Sequence, residues 1–138
     1  MFLNCNYVDI KEIKKTFSVI MSDDVIVFTY FVNLSNKDNI KRAEMIRVSF
    51  EDIFRKSKKQ KLFVVADISK LDNRDTFPHE SRQILANIFK NPRISKFVGI
   101  GGSIYLKTVG AFVARMTGRS KDFRWVNSVE EAKEWFKK

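Results

Sequence analysis

At 138 residues and 16.2 kDa the chain has the length of one domain, since domains commonly run to about 100–150 residues. Its longest nearly unbroken apolar run, residues 25–34, is far shorter than the roughly 20 residues that cross a membrane. The opening MFLNCNYVDIKE has neither the basic start nor the apolar stretch of a secretory signal. Cys5 is the single cysteine, which excludes an internal disulfide and makes the cytoplasm the expected location.

The net charge of +10 is unevenly distributed along the chain. Residues 1–52 carry seven Lys/Arg and eight Asp/Glu, whereas residues 53–138 carry nineteen and eight. The densest basic cluster is the run RKSKKQK, and its lysines are Lys56, Lys58, Lys59 and Lys61. Such a cluster attracts phosphates, acidic proteins or anionic lipid headgroups, but lysines at a helix end also complement the helix dipole. Both interpretations stay open.

The first half of the chain predicts a β-hairpin followed by a helix. Two apolar runs, residues 16–20 and 25–31, flank the turn sequence MSDD. The second run is apolar on both faces, which predicts a central strand that is covered on both sides. Ser35 with Asp38 three residues later is a variant of the capping box, and apolar residues recur at helical spacing after it.

The second half alternates strands and helices. The predicted elements are a strand at 61–68, a helix at about 76–90, a strand at 94–100, a helix over 105–116, a strand at DFRWV and a final helix. Pro78 suits a first helical turn and Gly118 a left-handed helix stop. Ser128 with Glu131 forms a capping box for the last helix, and Trp135 and Phe136 are expected to face inward.

The resulting order, β-β-α-β-α-β-α-β-α, is typical of a largely parallel sheet with helices on its faces. No internal repeat or linker interrupts the sequence. We therefore expect one domain over residues 1–138, in which residues 1–15 are a less certain N-terminal extension.

The closing stretch FRWVNSVEEAKEWFKK resembles the end of bacterial SpoIIAA-like proteins of the STAS superfamily. LFVVADISKL is similar to the central strand of that superfamily, and ISKFVGIGGSIYLKTVGAFVARMTGRSKDFRWV is similar to its following strand, helix and strand. The resemblance covers residues 16–138. It implies an α/β STAS-like (SpoIIAA-like) domain with a mixed four- to five-stranded sheet and helices packed on its faces.

The resemblance also implies a phosphorylation site. STAS domains that act as anti-sigma-factor antagonists are switched by phosphorylating a serine that follows an aspartate at a helix start. ADISKLDNRDTF places Asp75 on that aspartate and Thr76 on the serine, with Ser69 as a second candidate, whereas Phe77 and Pro78 depart from the family's serine and glycine. A phosphate would suit a helix start, but a threonine there is also a simple N-cap.

Other chemistry finds less support in the residues. The GIGGS turn could hold an anion on Gly101, Gly102 and Ser103, or it is a tight turn with a serine cap. His79 is the sole histidine, so no metal site is expected, and no nucleophile motif is present. The aspartates of the 67–75 region could form an acid–base pair but are more typical of turns.

These observations favour a non-enzymatic regulatory or protein-interaction module of the STAS type. Another protein is the expected partner, a small anionic or apolar ligand and a homodimer are left open, and neither a cofactor nor specific nucleic-acid binding is expected. The alternative is a lipid- or membrane-surface-binding protein that uses the basic C-terminal half. That alternative fits the related CRAL-TRIO-like architecture.

Overall fold

A computed structural model describes residues 10–72 and 77–138. Residues 10–14 are helical and precede the sheet. The elements that follow are β1 (Phe17–Ser22), β2 (Val25–Tyr30), α1 (Asn36–Lys56), β3 (Leu62–Asp67), α2 (His79–Phe89), β4 (Ile94–Ile100), α3 (Ile104–Met116), a 3₁₀ turn (Ser120–Asp122), β5 (Phe123–Val126) and α4 (Val129–Phe136). The predicted order of strands and helices is confirmed.

The five strands form one mixed sheet in the order β1-β2-β3-β4-β5. β1 pairs with β2 antiparallel, and every later pair is parallel with a helix in the connection. All parallel strands therefore end on one side of the molecule, and the helices bring the chain back to the other side. The carboxyl end of the sheet comprises residues 15–16, 31–35, 68–72, 77–78, 101–103 and 127–128, and the amino end comprises residues 23–24, 57–61, 90–93, 117–122 and 137–138.

Each face of the sheet buries its own apolar core. On the first face α1, α2 and α3 pack over a cluster that includes Phe28, Val64 and Phe97. On the second face α4 covers a smaller cluster, in which the ring of Phe136 stacks on Phe63 with centroids 4.7 Å apart. Burial of large apolar side chains on both faces supplies the main driving force for this layered packing.

The second face confirms one expectation and corrects another. β2 was predicted to be covered on both sides, and on this face its Val25 is buried and its Val27 half-buried in the α4 cluster, whereas Ile20 on the neighbouring β1 is 62% exposed. The eight residues of α4 are too few to span five strands. Trp135 was expected to face inward, but it is only half-buried at the border of the second-face cluster, and Lys96 and Arg124 lie 4.9 and 4.8 Å from the centroid of its ring.

The helix starts show which local signals decide where a helix begins. Ser103 accepts a hydrogen bond from the backbone N–H of Leu106, and Ser128 accepts one from that of Glu131, as predicted for serine caps. The Glu131 carboxylate reaches back to the N–H of Asn127 at 3.1 Å, which completes a shifted capping box. Ser35 occupies the N-cap of α1 but makes no side-chain cap hydrogen bond, so that part of the prediction is wrong.

The start of α2 is a further correction. The helix begins at His79 with Pro78 at the N-cap, not at residue 76. Phe77 has φ of 41°, outside the helical region, and a residue before proline is disfavoured in the helical conformation. The position of the proline therefore sets the first residue of the helix.

Two glycines on the first face make room for one indole. A Cβ on Gly99 in β4 would lie 2.3 Å from Cζ3 of Trp125, and a Cβ on Gly110 in α3 would lie 2.6 Å from Cζ2 of the same ring. The indole therefore occupies a slot between strand and helix that any larger residue at either position would close. This geometry fixes how closely α3 approaches the sheet.

Candidate functional site

A ligand site is expected at the carboxyl end of the sheet, because open α/β sheets bind their ligands there. Asp67 is the last residue of β3. Its Oδ1 accepts a hydrogen bond from the hydroxyl of Ser69 at 2.6 Å and another from the backbone N–H of Ser69 at 3.0 Å. The hydroxyl of Ser69 is thus held at the start of an exposed loop.

The glycine turn after β4 packs directly against this loop. Gly101 and Gly102 have φ of 76° and 92°, which glycine adopts most readily. A Cβ on Gly101 would lie 2.4 Å from Cβ of Ser69, and one on Gly102 would lie 2.8 Å from Cδ1 of Ile68. The structure therefore brings Ser69 together with the predicted anion-binding residues Gly101, Gly102 and Ser103. Contact between the two loops accounts for the two glycines.

The loop after β2 joins the same surface. The side-chain amide of Asn33 donates to Oδ1 of Asp72 at 2.5 Å, and the backbone N–H of Asp72 donates to Oδ1 of Asn33 at 3.2 Å. Nζ of Lys70 lies 5.0 Å from the ring centroid of Phe31. These contacts connect the loops that follow β2, β3 and β4 into one continuous surface.

Arg42 is a buried charged residue that the sequence reasoning missed. It is 1% exposed, its guanidinium carbon lies 4.4 Å from the ring centroid of Tyr30, and Nη1 donates to the carbonyl of Val32 at 2.8 Å. Arg42 therefore holds the loop after β2 from beneath. The available signal was its position on the α1 stripe that also buries Ala43 and Ile46.

Exposed apolar side chains are concentrated on this surface. Among the described residues the exposed large hydrophobic side chains are Ile10, Ile20, Phe31, Val32, Val48, Ile104 and Tyr105. Phe31 and Val32 follow β2 directly, and Ile104 and Tyr105 form the first turn of α3. Ile104 is 87% exposed, which is costly in water and typical of a contact surface. From the sequence, Phe31 was placed in the second predicted strand and Tyr105 in the predicted helix, and none of the four residues was predicted to be exposed.

The predicted phosphorylation sites are Thr76 and Ser69. Thr76 and the preceding Asp75 lie outside the described residues, so Thr76 stays a prediction. Ser69 is described and exposed, but it follows a strand and does not begin a helix. A phosphate there would meet the carboxylate of Asp67 before any helix N-terminus.

The predicted basic cluster lies at the other end of the sheet. Nζ of Lys56 lies 3.1 Å from Asp52, and Nζ of Lys59 lies 3.1 Å from Asp23. Lys58 and Lys61 are exposed. The cluster therefore belongs to the amino end and is separate from the loops that bring Ser69 and Gly101 together.

Two arginines at the amino end donate side-chain hydrogen bonds to backbone carbonyls. Arg93 donates to the carbonyl of Phe54 in the last turn of α1 and to those of Ser57 and Lys59 just after it, at 2.6 to 3.1 Å. Arg119 donates to the carbonyls of four residues, which are Phe89, Asn91, Ile94 and Ser95. Helix C-termini leave unpaired carbonyls, and a guanidinium offers several donors in a fixed geometry that fits them.

Charge separates the two ends of the sheet. The amino-end segments contain nine Lys/Arg and three Asp, whereas the described carboxyl-end segments contain two Lys and one Asp. The amino end thus holds most of the chain's net charge of +10. The carboxyl end is close to neutral and partly apolar.

Within residues 10–72 and 77–138, no three His, Cys, Asp or Glu side chains gather as a metal site would require. No helix in the same part of the chain is both long and apolar enough to cross a membrane.

Sheet order, strand directions and helix positions define the fold as SpoIIAA-like, which confirms the fold predicted from the sequence. A solved structure similar to this chain is that of an uncharacterised protein of the DUF3478 family with a SpoIIAA-like fold, from Shewanella loihica PV-4, at 2.25 Å resolution. The alignment covers 86% of this chain and 90% of that chain, with a TM-score of 0.56 and 15% sequence identity. At this identity the likeness defines the fold alone. No protein-family model matches the chain, and no curated protein sequence matches it.

Proposed function

We propose that the chain is a cytoplasmic, non-enzymatic regulatory module that binds another protein through the carboxyl end of its sheet. The observation that carries this proposal is the exposure of Phe31, Val32, Ile104 and Tyr105 on one surface. Apolar side chains bordered by polar groups are typical of protein-binding surfaces. The fold similarity to a SpoIIAA-like protein is consistent with such a module.

Regulation would act on the same surface. A phosphate carries a charge of about −1.5 to −2 at neutral pH. On Ser69 it would replace the hydroxyl bond to Asp67 with repulsion between two anions, and would disturb the contact with Gly101. Thr76, the first candidate from the sequence, lies outside the described residues and stays a prediction.

Co-purification from the native cell tests the proposed surface. The test variant is Ile104→Ser with Tyr105→Ser, and the matched control is Val48→Ser, because Val48 is 55% exposed on α1. We expect the wild type and Val48→Ser to retain the same partner and the double variant to lose it, with all three melting at similar temperatures. Equal retention by the double variant would contradict the proposal.

A second candidate function is binding to an anionic membrane surface through the amino end. It is favoured by the charge separation between the two ends of the sheet. The exposed cations there are largely lysines, whose compact charges suit a diffuse anionic surface, while Arg93 and Arg119 are engaged with backbone carbonyls.

Vesicle binding at increasing salt distinguishes this candidate. The test variant changes Lys56, Lys58, Lys59 and Lys61 to Gln, and the matched control changes four exposed lysines on the carboxyl side, which are Lys15, Lys37, Lys70 and Lys107. At about 1 kcal/mol per lysine near the surface, neutralising the four lysines should weaken binding to phosphatidylserine vesicles by up to about 700-fold. Equal binding by the two variants would reject the amino end as the docking surface.

A further inference from the structure

The first face of the sheet contains a partly open cavity of about 70 Å³ beneath α2 and α3. Its described lining is apolar or aromatic and includes no charged side chain. One end lies beside the indole of Trp125, in the slot that Gly99 and Gly110 leave open. The other end reaches Tyr30 and Phe77 below the carboxyl-end loops.

The cavity is large enough for a small molecule but unsuited to water. A water needs only about 10–15 Å³ of such space, but it also needs two to four polar partners, which an apolar lining does not offer. A dry void leaves its lining atoms without dispersion contacts on one side. An apolar molecule of the right size would restore those contacts without losing hydrogen bonds to the solvent.

Phe77 closes the cavity towards the carboxyl end. It is 4% exposed, and its ring lies 5.6 Å from that of Tyr30 in an edge-to-face arrangement. Its φ of 41° is strained for a bulky residue, and such strain persists only where the surrounding packing holds it. A buried ring on a strained loop backbone can move aside more readily than one within a helix or strand.

We propose that this cavity is a binding site for a small, uncharged, apolar molecule. The volume limits the ligand, because a cavity of about 150 Å³ with a similar apolar lining accommodates benzene or xenon, and this one is about half that size. A long acyl chain is therefore too large for the space. The ligand would contact Ile68, Phe77 and Leu106, which lie beneath the carboxyl-end loops. None of the four exposed apolar residues of the carboxyl end lines the cavity, so this site is distinct from the surface above it.

Xenon is the probe for this site. Amide and indole N–H spectra of the full chain are recorded at increasing xenon pressure. We expect saturable shifts that cluster at Gly99, Leu106, Gly110 and the indole of Trp125. Absence of saturable shifts, or shifts spread evenly over the surface, would overturn the proposal.

Filling the cavity provides the matched comparison. Ala66→Val adds two methyl groups to the lining from β3, whereas Ala111→Val adds the same groups on α3 outside the lining. We expect Ala66→Val to weaken xenon binding by about tenfold or more and Ala111→Val to leave it unchanged. If Ala66→Val lowers the melting temperature, Val113→Ile adds a smaller group from the opposite wall and is expected to weaken binding in the same direction. Undiminished binding in a folded cavity-filling variant would place xenon elsewhere and refute the site.

Discussion

The two ends of the sheet arise from the same alternation of strands and helices, yet they differ in charge and in the contacts that their side chains make. The amino end receives the C-terminus of each of α1 to α4, and each C-terminus favours nearby cations. Cations near each of the four helix C-termini therefore add up to a strongly basic amino end. A net charge of +10 can arise from topology in this way without a nucleic-acid partner.

The carboxyl end follows a different rule. Its described segments are nearly neutral and joined to one another by contacts such as that of Gly101 with Ser69. Apolar side chains that could have been buried, above all Ile104, remain exposed there. The comparison teaches that charge density at one end follows from how the helix C-termini are stabilised, whereas exposed apolar area distinguishes the other end.

The largest loss of stability is expected from removing an arginine that donates hydrogen bonds to backbone carbonyls. Arg119→Ala would remove one hydrogen-bond donor from each of four carbonyls, those of Phe89, Asn91, Ile94 and Ser95. Because hydrogen bonds to charged groups contribute about 1.5–3 kcal/mol and buried unpaired carbonyls are costly, we expect a loss of about 4 kcal/mol in the free energy of unfolding. Chemical denaturation measures this loss.

Lys121→Ala is the control, since Lys121 is an exposed cation in the same segment. It should change stability by less than about 0.5 kcal/mol. If both variants were equally mild, the distinction between structural arginines and exposed lysines at the amino end would be wrong.

The next effect compares two glycines with similar backbone angles at opposite ends of the sheet. Gly101 and Gly118 have φ of 76° and 72°, but a Cβ on Gly101 would meet Ser69 at 2.4 Å, whereas one on Gly118 meets nothing within 4 Å. Gly118→Ala should cost about 1 kcal/mol from backbone strain alone. Gly101→Ala should cost about 3 kcal/mol, because overpacking adds to the strain.

Thermal or urea unfolding of the two alanine variants measures the difference. Equal losses would show that the contact between the loops after β3 and β4 contributes nothing to stability. In that case the continuous surface inferred at the carboxyl end would lose its main structural support.

Element order and fold class could be predicted from the sequence because hydrophobic periodicity and serine, glycine and proline signals act locally. The strand and helix order, the caps at Ser103 and Ser128 and the stop at Gly118 follow from such signals. The start of α2 was missed by three residues, because the restriction that Pro78 places on Phe77 outweighed the attraction of a threonine cap.

The candidate site could be predicted only in part. Ser69 and the glycine turn were recognised as separate motifs, but their contact depends on the pairing of β3 with β4, which a single sequence does not show. Arg42 was missed because a charged residue on a helical stripe is usually exposed. Ile104 and Tyr105 were missed because apolar residues in a helix are first assigned to the core.

A smaller effect is expected at Ser69. Ser69→Ala removes the hydroxyl that donates to Asp67 at 2.6 Å, and an exposed hydrogen bond to a carboxylate contributes about 1 kcal/mol. Ser69→Glu places a second carboxylate beside Asp67 and should destabilise the loop further, while Ser69→Thr keeps the hydroxyl. Hydrogen exchange of the amides in residues 68–72 measures the effect on the loop. Identical exchange in the Ala and Glu variants would remove Ser69 as a candidate for charge-based regulation.

The smallest loss of stability is expected from replacing the exposed lysines of the amino end. Lys59 pairs with Asp23 at 3.1 Å, but the two side chains are 51% and 79% exposed, so water and salt screen the pair. We expect Lys59→Ala to cost less than about 1 kcal/mol and Lys58→Ala less than about 0.5 kcal/mol, both measured by urea denaturation. Arg93→Ala is the contrasting variant, because its guanidinium holds the carbonyl of Lys59 itself and its loss should release the whole segment. If Lys58→Ala destabilised the protein as much as Arg93→Ala, the lysines would be structural. The amino end would then have little cationic surface to offer a partner.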